Sequence, residues 1–398
     1  MVIPKGYKQT EVGVIPENWE VSTLEKYYNL FAGGDLDVND YSPQRTSQYQ
    51  YCILSNSLQR NGVYGFCRRP KYKGNSVTIT GRGDVGHSVY RPEPFSAIVR
   101  LLVCEPKREI DSHFIAVFLE NTMPFFFEST GVPQLTVPQI KHTAIPVPQI
   151  GEQHRIASAV ADMDSLISAL EKLSAKKKAI KQGTLQELLT GKRRIPGFSG
   201  EWTQHTLSEL GSFRKGGGIS RTAANSGKLR AVRYGELYTR HHNYVREYHS
   251  HISEEVAQKA LPVHYGDLLF AASGETKEEI GMCAAIVDDC EAYAGGDIIV
   301  FTPEQKLHPI FMGTLLNASA ARKQKAERGQ GDAIVHIHTN SLAGITISIP
   351  SYEEQEAIAK ILSDMDAEIE ALERKLAKLR QVKRGMVQQL LTGKIRLA

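Results

Sequence analysis

The chain of 398 residues has only five cysteines, Cys52, Cys67, Cys104, Cys283 and Cys290. The number is odd and no two stand as CxxC. A disulfide framework and a zinc knuckle are therefore not expected, and reduced thiols of a cytoplasmic protein are. No apolar run approaches the ~20 residues of a membrane span. The opening stretch, MVIPKGYKQTEVGVIPENWE, lacks an apolar core of signal-peptide length. The expected location is the cytosol, with no membrane partner. Net charge is only +4, so any binding to nucleic acid must come from local patches. Catalytic motifs are missing too. There is no HExxH, no GxSxG and no Pro-Pro-Tyr-type tetrapeptide. LLTGK ends in Gly-Lys, but Arg193 or Ile395 follows where a phosphate loop needs Ser or Thr. GRGDVG (Gly81 to Gly86) leads into a Val/Tyr run and reads as a plain loop. Asp162 with Asp164, and Asp364 with Asp366, sit at i,i+2 and do not share a helix face. No metal site and no resident cofactor are expected.

What is present is a duplication. The segment IPVPQIGEQHRIASAVADMDSLISALEKLSAKKKAIKQGTLQELLTGKRRI, from Ile145 to Ile195, aligns without gaps to Ile347–Leu397. Roughly half of the positions are identical, which makes the repeat the first fact to interpret. A weaker echo joins ENWEVSTLEKYYNLFAGGDL, from Glu17, to GEWTQHTLSELGSFRKGGGI, from Gly200. It matches Trp19 to Trp202, the chain's two tryptophans. Between these frames lie two stretches, about 33–144 and 217–346, that do not align. The reading divides the chain into a first domain with its N-terminal frame at 1–150, a central long helix at 151–194, a second domain at 195–351 and a C-terminal long helix at 352–398.

The helices are read from apolar spacing. Ile358, Leu362, Met365, Ile369, Leu372, Leu376 and Leu379, with Met386 and Leu390 beyond, alternate by four and three, as a coiled-coil seam does. The first copy keeps Ile156, Val160, Met163, Ile167 and Leu170, then has Ser174 and Lys177 at seam positions. Its later seam is either more polar or shifted toward Leu173 and Ile180. Ser351 and Glu354 predict a capping box. Gly191 and Gly393 predict helix stops, and Gly183 and Gly385 a kink or a close helix crossing. At 1.5 Å per residue, each helix of ~40 residues is about 60 Å long.

The unaligned stretches read as mixed α and β. YCIL, NSVTIT, SAIVRLLV, LRAVRY, GDLLFAAS, CAAIVDD and DIIVFTP are β-prone runs. HFIAVFLENTMPFFFE and PIFMGTLLNASAARKQKAE read as helices. Each stretch also carries a basic cluster with interleaved aromatics. The first holds Arg60, Arg68, Arg69, Lys71, Lys73, Arg82, Arg91 and Arg100, with His87 among them and only Asp84 and Glu93 against them. The second holds Arg214, Lys215, Arg221, Lys228, Arg230, Arg233, Arg240 and Arg246, with Tyr234, His241 and His242 among them and only Glu236 against them. Such clusters neutralise phosphates, and Arg, Asn or Gln on loops reads base edges. A solvated basic face is the plain alternative for either cluster alone. Gln134, His336, His338 and Asn340 are further polar candidates, with buried structural roles as the equal alternative.

The order and duplication of IPENWEV and GEWTQHTL, of GDLLFAASG, of IPVPQIGEQHRIA and ISIPSYEEQEAIA, and of the two LLTGK helix ends resemble the specificity subunits of type I restriction-modification systems. The resemblance covers nearly the whole chain. It implies an α+β fold with pseudo-two-fold repetition. Two tandem target-recognition domains would be separated and followed by long helices that pair as an antiparallel coiled coil. Each domain would read one half of a bipartite site in double-stranded DNA. The helices would hold the domains apart and carry two methylation (M) subunits, which bind S-adenosylmethionine, and motor-nuclease (R) subunits would complete the cutting complex. The missing catalytic motifs fit a non-catalytic subunit. A coiled-coil adaptor that joins proteins without reading DNA is the alternative from another class.

Overall fold

Both long helices form. In the computed structural model, which describes residues 3–122, 125, 133–277, 279–331 and 335–397, they span Ile150–Leu188 and Tyr352–Leu391. The chain divides into two units, one of residues 1–172 with 374–398 and one of residues 173–373. Each unit therefore holds one stretch of each long helix.

In the first unit the two helix stretches run antiparallel, with Asp164 paired to Lys383 and Glu171 to Arg380. In the second they do so through Lys177–Glu368, Lys178–Glu373 and Lys181–Asp366. The four-three seam faces inward as predicted: Ile358, Leu362, Ile369 and Leu390 are buried and the other seam positions are half-buried. In the first copy the polar version of the seam is the one that forms. Ser174 is buried and Lys177 half-buried, while Leu173 and Ile180 stay exposed.

Two expectations for the helices are corrected. Gly183 and Gly385 interrupt neither helix, and open space stands where a Cβ would go. No close helix crossing requires glycine there. Changing both to alanine removes backbone freedom from the unfolded chain at no steric cost, so stability should rise by about 0.5–1 kcal/mol per site. A thermal melt that moves down would contradict this account. The capping box at Ser351 is only half made. The Ser351 hydroxyl accepts from the Glu354 amide at 3.4 Å, but the Glu354 carboxylate is engaged elsewhere.

That engagement explains why LLTGK recurs. In the second unit, Arg194, just past the first LLTGK, donates two hydrogen bonds of 2.7 Å to buried Glu354. Leu188 and Leu189 enter the core beside Ile358 and Leu362, with Trp202 packed against it. In the first unit, Arg396 after the second LLTGK donates to buried Glu152 at 2.6 and 2.8 Å. Leu390 and Leu391 pack with Ile15, Trp19 and Ile156, and the Trp19 indole also donates to Glu152. Gly191 and Gly393 take positive φ, as helix-stop glycines do. The neighbouring Gln153 and Gln355 repeat one pattern as well, donating to Pro148 and Pro350 and accepting from the amides of Asp111 and His308. The end of each repeat's helix is thus clasped by the frame of the other repeat.

The two stretches that do not align in sequence share one topology. In the first unit, Tyr28–Ala32, Leu102–Pro106, Ser76–Ile79 and Ser88–Arg91 form an antiparallel sheet in that order, with helix Ser112–Thr122 packed on it. In the second, Gly211–Lys215, Ile298–Pro303, Leu268–Ala271 and Cys283–Ile286 repeat the order, and Asn243–Val245 adds a parallel edge. Helix Pro309–Leu316 covers that sheet. A smaller sheet in each unit is built on a parallel pair, Tyr51–Leu54 with Phe95–Ala97 and Leu229–Val232 with Ala292–Ala294. Frame strands Glu20–Thr23 with Ala144–Val147, and Thr203–Thr206 with Thr346–Ile349, close the two domains alike.

Two predicted elements are split. SAIVRLLV is not one strand. Val99 and Arg100 take positive φ, and the Leu101 amide donates to Ile98, so the run turns from one sheet to the other. PIFMGTLLNASAARKQKAE breaks at Asn317 into Pro309–Leu316 and Ser319–Arg328. There the Asn317 amide group bonds both backbone groups of Cys283. HFIAVFLENTMPFFFE is helical over Ser112–Thr122, and most of its remainder lies outside the described residues. Among the described residues, no helix is long and apolar enough to cross a membrane.

Candidate nucleic-acid interface

Each unit has a cleft between loops of its smaller sheet. In the second unit a cleft of about 890 Å³ is lined by Arg221, Arg233, Tyr234 and Arg240, and also by Ser250 and the acids Glu236, Glu275 and Asp297. In the first, a cleft of about 360 Å³ is walled by Arg68, Arg69 and Lys71, opposite Asp35, Asp37 and Asp40. The two clefts lie at equivalent places in the strand order. Each is bordered by the loop after the unit's first sheet strand (Tyr28–Ala32 or Gly211–Lys215). Each is also bordered by the turn after the smaller sheet's parallel strand, at Ile98 or at Gly296 and Asp297.

The side chains in these walls differ in freedom. Arg69, Lys71, Arg221 and Arg240 are exposed, and none of their side chains has an ion pair with a described residue. Arg68 is exposed but committed: its Nε donates to Asp40 at 2.9 Å, its Nη2 donates to the Asn39 carbonyl, and its guanidinium lies over the Tyr49 ring. The Arg233 Nε donates to Ser250 at 3.1 Å and stands 3.5 Å from Glu236. Tyr234 is exposed beside Tyr238.

The remaining candidates scatter. Arg60, Lys73, Arg82, Lys215 and Lys228 are exposed outside the two clefts. Arg60 has positive φ, and Arg230 lies over the Tyr248 ring. Gln134 is half-buried. His87 is held by Glu120 at 2.8 Å. Four cations or rings serve the fold instead of a surface. Arg91 is buried, and its guanidinium donates to Thr78 and to the Asn61 carbonyl; burial pulls its pKa down to about 10. His241 is buried behind Glu236. Arg214 is spent on buried Asp267 and on Thr302. Arg246 ties the domain to Asp366 and Glu370 of the second long helix. His336 bonds Ser273, and His338 precedes helix Thr339–Ala343.

Sequence reasoning missed Asp40 and Glu236. Asp40 Oδ1 accepts from the Arg68 amide at 2.9 Å, and Oδ2 from the Arg69 amide at 3.1 Å. Burial would raise its pKa, but the Arg68 side chain and the two amides outweigh that and lower it. Glu236 accepts from the Arg233 amide at 3.1 Å and the Ser250 hydroxyl at 2.6 Å. Burial would raise its pKa as well. His241 at 3.9 Å, Ser250, and the amide and charge of Arg233 outweigh it and bring it down to about 2. Glu236 had a signal, being the lone acid within a run of cations. Asp40 had none, lying outside the basic stretch. Among the described residues, no cluster of His, Cys, Asp and Glu could hold a metal ion.

Comparison with known proteins places this architecture. The chain is 22% identical over 96% of its length, and 94% of the relative's, to the type I restriction enzyme MjaVIII specificity subunit of Methanocaldococcus jannaschii. It is 29% identical over 39% of its length, and 47% of the relative's, to the putative type I specificity subunit S.MpnORF89P of Mycoplasma pneumoniae. The type I restriction-modification system S subunit from M. genitalium shares the fold, at a TM-score of 0.64 and 15% identity over 94% of this chain and 96% of that one. A model of the type I restriction modification DNA specificity domain matches residues 16–182 and again 199–381. The match falls twice, once on each repeat, and the chain belongs to this family of non-catalytic DNA specificity subunits of type I restriction-modification systems.

Proposed function

We propose that this chain reads a bipartite site in double-stranded DNA, one half with each domain, and directs two methylation subunits and motor-nuclease subunits to it. The observation that carries the reading is the pair of cation-walled clefts at equivalent places in two domains of unlike sequence. The same scaffold with different loop chemistry suits two different half-sites. Exposed Arg69, Lys71, Arg221 and Arg240 take phosphates, and loop side chains such as Tyr234 meet base edges. The clasped long helices set the spacing of the two readers and offer a face to the methylation subunits. Those partners supply S-adenosylmethionine, and the work is done in the cytoplasm.

Salt dependence tests this against an adaptor that only joins proteins. The logarithm of the affinity should fall steeply and linearly with the logarithm of salt concentration. Removing Arg69 and Lys71 together should lower that slope by about 0.9 per lost phosphate contact, and removing Arg221 and Arg240 should do the same. Lys73→Ala, outside the cleft, serves as the comparison. Unchanged slopes in both folded double variants would show that the clefts do not meet DNA.

A further inference from the structure

A carboxylate in the wall of a cleft that receives a polyanion repels its ligand. Each cleft nonetheless has three, and in each cleft one of them is built in with more hydrogen bonds than an exposed acid makes. Asp40 accepts three, from the amides of Arg68 and Arg69 and from the Arg68 Nε. Glu236 accepts from the Arg233 amide and the Ser250 hydroxyl, while its own backbone carbonyl accepts from the amides of Arg240 and His241. Both carboxylates hold the backbone from which the cleft's cations project. Asp40 fixes the start of the segment bearing Arg69 and Lys71. The Glu236 carboxylate fixes the start of the turn bearing Arg233 and Tyr234, while its backbone carbonyl, which any residue would supply, closes the turn at Arg240. The two acids are not repeats of one position. Asp40 follows the first strand of the larger sheet, and Glu236 follows the strand Leu229–Val232. The same arrangement has therefore arisen on two different loops.

Phosphate attraction is long-ranged and tolerates a mobile cation. Base readout does not: it needs donors held within about 0.5 Å of their acceptors. We infer that Asp40 and Glu236 are positioning residues for base discrimination, each fixing the basic loop of its own domain at some cost in attraction for DNA. The inference rests on the bipartite reading above. Its signature is a split. Loss of either carboxylate lowers discrimination in one half-site while affinity for unrelated DNA stays level or rises, because a negative charge has left the cleft. An acid that served folding alone would move stability and leave the choice of bases unchanged.

The test uses the full chain with its cognate methylation subunit and a pool of duplexes randomised over about 20 base pairs. The unaltered chain selects a two-part motif. Asp40→Asn should blur one part and Glu236→Gln the other, with the opposite part kept in each case. On defined duplexes made from the motif, discrimination against a single changed base pair in the affected part should fall about ten-fold, with the salt slope unchanged. Two milder variants cover a failure of either to fold. Arg68→Lys keeps the charge but removes the Nε bond to Asp40, and Ser250→Ala removes one donor to Glu236; each should blur the same part as its partner. Motifs unchanged in these folded variants, while the Arg69/Lys71 and Arg221/Arg240 variants still flatten the salt slope, would overturn the inference and leave the bipartite reading in place. A one-part motif, or none, would overturn the reading itself.

Discussion

A chain whose first recognition segment is replaced by that of another family member should recognise a new sequence in one half of its site and keep its own in the other. The structure indicates where to cut. Joining at residue 33 would part Tyr28–Ala32 from its partner Leu102–Pro106. Cutting instead at Thr23 and Ala144 leaves the frame pair Glu20–Thr23 and Ala144–Val147 native and moves the whole sheet as one body. Trp19, Glu152 and the clasp to Arg396 stay untouched. The measurement is the map of methylated sites after co-expression with the methylation subunit. The expected result is complete replacement of one block of the motif. A change in both blocks from a well-folded chimera would mean that the domains do not read separately.

Arg194→Ala should destabilise the second unit, and Arg396→Ala the first to a lesser degree, because each strands a buried carboxylate. The order follows from the partners that remain. Glu152 keeps the Trp19 indole at 3.0 Å. Glu354 keeps no side-chain donor among the described residues, since the matching Trp202 nitrogen is buried without a partner. Adding Glu354→Gln to Arg194→Ala should recover part of the loss, because a neutral amide costs less to bury. Denaturant titration of the four proteins of that cycle gives the coupling directly. If Arg194→Ala melts like the parent, the ion pair contributes nothing and the leucines alone hold the helix end.

Much of the scaffold was legible in the sequence because it is repetitive. The four-three spacing of Ile358 to Leu390 could only bury one face, and the matching LLTGK ends and tryptophans announced a common role. What that role is could not be read. Arg194 pairs with a glutamate 160 positions away, and no local pattern specifies such a partner. Ser351 and Glu354 show the same limit from the other side: the spacing fits a capping box, but a distant arginine outcompetes a backbone amide for the buried carboxylate. Strand runs were visible from their β-branched residues, yet the turn inside SAIVRLLV was not. Val99 and Arg100 take positive φ, a conformation that neither residue type favours and that tertiary contacts impose. The basic clusters were legible as composition only. Whether an arginine faces solvent, as Arg69 does, or fills a cavity, as Arg91 does, depends on which strands flank it. Of the acids that order the loops, Glu236 was visible only as the scarce opposite charge, and Asp40 not at all.

The reciprocal clasp also bears on how the chain is made. The second unit is continuous from residue 173 to 373, and all of its parts, Arg194 and Glu354 included, are in the chain once residue 373 is joined. The first unit is begun earlier but waits longer. Its Glu152 and Trp19 have no arginine, and its core lacks Val387, Leu390 and Leu391, until residues 387–396 emerge. The domain translated first is therefore the domain completed last. Until then its apolar frame is open to chaperones or to the leucine-rich helix end of a neighbouring nascent chain.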